Sequence, residues 1–191
     1  MIRPVRFCRR VAMLCLGLCV MAGAKDESSA VTDLYSAART GDTALCERLL
    51  AADPSLVSSE DPFIGTPLHV AVANGHLEAA RLFVDWKFDV NARVLEGDTA
   101  LCLAVRSGNS ELVRLLVGKG ADLNLRGESG RSALHYAVFR TDTKIAQILI
   151  DAKANLNAVC RRGLTPLQTW AQCRPANRAL HRSRLRCQRS F

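Results

Sequence analysis

Apolar residues recur along this chain in short helical stripes that come in pairs. Leu68, Ala71 and Val72 fall on one face of a first helix, and a turn at Asn74-Gly75 leads into a second helical stretch from Leu77 to Trp86. Further along, Ser107-Gly108 plays the part of that turn and Glu111 to Gly118 the part of the second helix. Thr or Ser at the start of each first helix is a good N-cap, and Pro67 and Pro166 stand where a missing N–H costs nothing. Gly120-Ala121-Asp122-Leu123-Asn124 ends a second helix and releases an extended finger. One such helix pair cannot bury its apolar face alone, so the pairs must stack, and small alanines on the first helices let them approach.

The pairs keep a fixed period. Thr66-Pro67-Leu68-His69, Thr99-Ala100-Leu101-Cys102, Ser132-Ala133-Leu134-His135 and Thr165-Pro166-Leu167-Gln168 begin 33 residues apart. Asn91, Asn124 and Asn157 keep the same step, as do Gly97, Gly130 and Gly163, and as do Leu82, Leu115 and Ile148. A weaker unit begins near Asp33 and matches the next at a step of 34, one residue longer.

These residues resemble the ankyrin repeat, whose period is 33 residues and whose signature is Thr-Pro-Leu-His-x-Ala. The chain shows it as Thr66-Pro67-Leu68-His69-Val70-Ala71, with Asn74-Gly75-His76 and the Gly120 to Asn124 run. The resemblance covers residues 33–172, as four units and a partial fifth, after a short linker at 25–32. It implies an all-α solenoid of stacked helix pairs with β-hairpin fingers, which binds proteins and is not an enzyme. In such arrays a partner meets the fingers and the exposed ends of the first helices. Position by position this gives Arg39, Thr40, Ala73, Asn74, Arg106, Ser107, Phe139 and Arg140 on the helices. On the fingers it gives Leu95, Glu96, Asp98, Glu128, Ser129 and Arg131. Phe139 and Arg140 stand out, because aromatic and arginine side chains are enriched in binding hot spots.

Two units depart from the pattern. The fourth has Arg140-Thr141-Asp142 at its inner turn and Lys153 where Gly120 stands one unit earlier, so its caps are expected to be poorer by about 1 kcal/mol. The fifth keeps Gly163 to Ala171, but at 181 and 182, where its second helix needs apolar residues, it has His181 and Arg182. Residues 173–191 therefore read as a truncated repeat, a solvated segment, or a basic arm for anionic lipid or an acidic partner.

Charge separates the ends from the body. Residues 1–24 hold four Arg and residues 159–191 hold eight, neither with an acid, while 25–158 carry 14 basic and 18 acidic side chains. The body is mildly acidic and offers no basic stripe for nucleic acid. Arg3, Arg6, Arg9 and Arg10 precede an apolar run from Val11 to Met21, and Ala22-Gly23-Ala24 follows as a small-x-small cleavage site. This reads as a secretory signal, leaving Lys25 as the mature N-terminus and no stable span in the mature chain.

Beyond residue 24 the cysteines are Cys46, Cys102, Cys160, Cys173 and Cys187, an odd number without metal-site spacing. Cys46 and Cys102 fall within helical patterns as small apolar residues, and Cys173 and Cys187 can pair in an oxidising compartment. His69, Cys102 and His135 share one repeat position in successive units, and the histidines are expected to hydrogen-bond within their own turns rather than hold a metal. No cofactor is expected. The sequence thus describes an exported, periplasmic or secreted, protein-binding module of scaffold, inhibitor or immunity type. The alternatives are a self-associating envelope protein, using its C-terminal repeat face, and a secreted effector acting on a host protein.

Overall fold

The computed structural model describes residues 27–61, 63–94 and 97–173. Unit one is α1 (Glu27–Thr40) and α2 (Thr43–Ala52), and unit two is α3 (Pro67–Ala73) and α4 (Leu77–Asp85). Unit three is α5 (Ala100–Ser107) and α6 (Ser110–Gly118), unit four is α7 (Ala133–Phe139) and α8 (Thr143–Asp151), and α9 (Pro166–Cys173) opens unit five. First helices stack on first helices, from α1 through α3, α5 and α7 to α9, and second helices on second helices. Ala37, Ala38, Ala71, Ala104 and Ala137 are buried along the first row, where their small size sets the close approach. The second row carries the larger anchors, Leu50, Phe83, Leu112, Leu116 and Leu149, all fully buried. Each contributes roughly 1.5–3 kcal/mol by leaving water. Cys46 and Cys102 are core residues, and burial pushes the Cys46 thiol up to about 11 and raises that of Cys102.

Helices α2, α3 and α5 to α8 start where a side chain takes up free N–H groups. Asp42 accepts from Leu45 N at 3.0 Å, Asp142 from Ile145 N at 3.0 Å, and Asn109 from Glu111 N and Leu112 N at 3.1 Å. Thr66 with His69, and Ser132 with His135, form reciprocal capping boxes.

Several details correct the sequence reading. Helix α1 begins at Glu27, so there is no separate linker over 27–32; Ala30 and Val31 extend the buried stripe of Leu34, Ala37 and Ala38 and pack on the core. The fingers are tight turns closed by single bridges, Asp61 with Gly65 and Arg93 with Thr99, and no extended hairpin forms among the described residues. In unit four, Thr141 (φ 60°) and Lys153 (φ 65°) adopt the left-handed conformation that Gly108 and Gly120 hold in unit three, as their positions required. Lys87, the counterpart of Lys153 in unit two, does the same at φ 68°.

Candidate functional site

The repeat's conserved-step polar residues turn out to join one unit to the next. His69 Nδ1 accepts the Thr66 N–H at 3.2 Å and lies 2.9 Å from Thr66 Oγ1. Its Nε2 is 3.0 Å from the Ala92 carbonyl of the following finger. A backbone N–H can only donate and a carbonyl can only accept, so the ring is the neutral Nε2–H tautomer. His135 repeats the arrangement with Ser132 and the Leu164 carbonyl at 3.0 Å. Tyr35 serves unit one by donating to the Gly65 carbonyl at 2.5 Å, and its phenol is raised to about 12, first by burial. Burial also holds both imidazoles below their usual pKa. The histidine nitrogens are thus spent on structure, and no group of three His, Cys, Asp or Glu side chains that could hold a metal occurs among the described residues. Asn91 and Asn124 add a second joint, accepting from Asp122 N at 2.8 Å and Asn155 N at 3.0 Å.

Unit three has Cys102 at the histidine position, and Asp98 replaces the missing joint. Its side chain is 2% exposed; Oδ1 accepts from Glu128 N at 2.8 Å and from Tyr136 Oη at 3.1 Å, and Oδ2 from Arg106 at 2.7 Å. A Cβ on Gly127 would meet Asp98 Oδ1 at 1.9 Å, so glycine is required there for close approach. Asp98, expected to face a partner, is therefore an internal strut: the third finger folds it under the fourth. Tyr136, which the sequence reading did not single out, completes the strut, and burial followed by the Asp98 charge raises its phenol far above the usual value. A tyrosine one step after a capping histidine was its only signal.

The remaining predicted residues divide into those brought together and those left apart. Arg39 and Thr40 end α1, Ala73 and Asn74 end α3, Arg106 and Ser107 end α5, and Phe139 and Arg140 end α7, all exposed in one row. Several of them are partly engaged: Arg39 presents its carbonyl to His76 Nε2 at 3.0 Å, Asn74 donates to the Val70 carbonyl at 2.8 Å, and Ser107 donates to the Ala104 carbonyl at 2.9 Å. Thr40 bonds back to Ser36 and Ala37 at 3.2 Å. Around units three and four the residues converge. The Arg131 guanidinium lies 5.4 Å from the Phe139 ring centre and 6.0 Å from that of Tyr136. Phe139 keeps 46% exposure, and Arg106 bridges to Glu128 at 3.7 Å. Arg140 donates to the Arg106 carbonyl at 2.7 Å and covers Gly108, so it caps α5 as well as bordering the cluster. Ser129 sits at φ 58° and its carbonyl accepts from Arg161 N at 3.0 Å, which fixes the finger's tip. Leu95 and Glu96 lie outside the described residues.

The convergent cluster is therefore an exposed aromatic face stacked by one arginine and rimmed by Arg106, Glu128 and Arg140. It holds no nucleophile–base pair and suits a protein surface with an apolar anchor and mixed charge. A second exposed apolar pair, Phe63 at 72% and Ile64 at 53%, stands on the finger of unit two; two large apolar residues following Asp61-Pro62 in a loop were the unread signal. Among the described residues no helix is long and apolar enough to cross a membrane.

Comparison with known proteins gives concordant matches. A family model of three ankyrin-repeat copies matches residues 34–127, and a single ankyrin repeat matches 129–161, together about two thirds of the chain. A probable E3 ubiquitin-protein ligase of Oryza sativa subsp. japonica, XBOS33, is 42% identical over 69 residues. That match takes in 36% of this chain and spans 13% of the relative's length.

Proposed function

The chain belongs to the ankyrin-repeat family, whose stacked units are protein-binding modules rather than enzymes, and we propose that it is an exported binder of scaffold, inhibitor or immunity type. Its partner surface is the row of first-helix ends, centred on Phe139 and Arg131 and rimmed by Arg106, Glu128 and Arg140. The observation that carries this reading is the Arg131–Phe139 stack, a half-exposed aromatic ring with a guanidinium over its face at 5.4 Å. An anchor that is already ordered loses little entropy on binding, which is what a hot spot needs. The 69 residues shared with the probable ligase are the length of about two units, and we take them as shared repeat architecture. Export rests on the Arg-rich start, the 11-residue apolar run and Ala22-Gly23-Ala24.

Crosslinking and pull-down from an envelope extract tests the surface. Phe139→Ala is expected to reduce capture of the retained protein by about tenfold, the equivalent of about 1.4 kcal/mol, with the unfolding midpoint within error of wild type. Equal capture by wild type and variant removes Phe139 from the site. Arg140 is left intact in this comparison, because its removal would also uncap α5.

A further inference from the structure

The C-terminal face of the array is open at positions that are buried or partly buried in the other units. Leu167 is 71% exposed, while its counterparts Leu134, Leu101 and Leu68, at steps of 33, are 2%, 1% and 0% exposed. Ile150 is 43% exposed, against 7% for its counterpart Val84, and Leu156 is 52% exposed although its counterparts Leu123 and Val90 pack on the core. These side chains, with Val138, Ala146 and Trp170, line a groove of about 590 Å³ between α7, α8 and α9. It lies where α8 would receive the second helix of unit five, as α6 receives α8.

We propose that residues 174–191 of this same chain occupy the groove as that second helix. The spacing allows it. Second helices begin three or four residues after the first helix ends, at Leu77 after Ala73, Ser110 after Ser107 and Thr143 after Phe139. After Cys173 the same interval reaches 176 or 177, and the segment to Phe191 exceeds the nine residues of α4, α6 and α8. The segment also leaves one helical stripe free of arginine. At about 100° per residue, Ala176, Ala179, Leu180, Ser183, Cys187 and Phe191 share one stripe about 120° wide. Every arginine from Arg174 to Arg189 falls outside it; Leu185 is the one large apolar residue on the outer side. A strict step of 33 turns Arg182 inward. One inserted residue, the same insertion that separates units one and two, puts Ala179 and Leu180 in the places of Ala79 and Ala80 and moves Arg182 from the place of the fully buried Leu149 to that of Leu82, Leu115 and Ile148 at the edge of the row, with Ser183 in the place of Leu149. The stripe is small and weakly apolar, which matches a helix that packs on one side and shows its basic face to water. The arginines then form the outer surface of a cap.

Hydrogen exchange of the full chain, read by mass spectrometry on peptides from the last 18 residues and paired with sedimentation, tests the assignment. In the monomer, amides between 177 and 186 are expected to exchange about tenfold or more slowly than free chain. Leu180→Asp, which alters only the segment, and Leu167→Asp, which alters only the groove, should each abolish that protection while α3 to α6 stay protected. Free-chain exchange in the wild-type monomer overturns the proposal. So does protection that survives Leu167→Asp, since the segment would then be ordered elsewhere. Protection that appears only with concentration-dependent dimers assigns the groove to a second copy, and protection that needs an added foreign protein assigns it to that partner; either result also overturns the proposal.

Discussion

The imidazole of His69 is the smallest unit on which this architecture depends. Its Nδ1 must accept from Thr66 N and its Nε2–H must reach Ala92, so protonation of Nδ1 would set two N–H groups against each other. Burial already holds His69 and His135 below the ordinary histidine value of 6.5. The unfolded chain therefore takes up protons at higher pH than the folded one. The contribution of these groups is complete above about pH 6.5 and is lost as pH falls toward the lower folded pKa. Unfolding free energy from urea titrations is expected to decline between pH 7 and 5, and the decline should flatten in the double variant His69→Gln, His135→Gln. Glutamine is the apt replacement, because Gln168 holds the same position in unit five and accepts from Thr165 N at 2.9 Å without titrating in this range. A decline of unchanged steepness in the double variant would place the pH sensitivity elsewhere.

At the scale of the element, much of the fold could be read directly from period and caps. The helix starts follow Asp42, Thr66, Thr99, Ser132 and Asp142, and in unit four Thr141 and Lys153 take left-handed positions without glycine's freedom while the cap hydrogen bonds are still made. Lys153→Gly is expected to raise stability by about 0.5–1 kcal/mol, seen as a higher urea midpoint at constant slope, because relief of the left-handed strain exceeds the added freedom of the unfolded chain. Less of the site was legible. Spacing placed Asp98 on a finger, but only the fold shows that finger turning its carboxylate under Glu128 and Tyr136. Likewise the sequence marks Phe139 and Arg131 as separate surface positions eight residues apart, and the meeting of their side chains depends on how the finger returns to α7. Long-range approach of this kind leaves no trace in a local pattern.

For the whole molecule, charge divides a mildly acidic body from two basic ends. If the first 24 residues are an export signal, the product recovered outside the cytoplasm will begin at Lys25, about 2.6 kDa lighter than the full chain, by intact mass and N-terminal sequencing. Recovery of an unshortened chain would sink the cleavage. Within the body, units meet only their neighbours, so its rigidity is that of its joints in series. The joints between units two and three and between units four and five each close on an imidazole, whereas the joint between three and four closes on Asp98, Tyr136 and Arg106. Acid is expected to weaken the two imidazole joints first, once pH falls toward their lowered folded pKa, while the one between them has no imidazole to charge. Loss of those two hydrogen bonds leaves the helix rows stacked, so the segment that displays Phe139, braced by Asp98, Tyr136 and Arg106, is expected to be the last joint of the array to respond to acid.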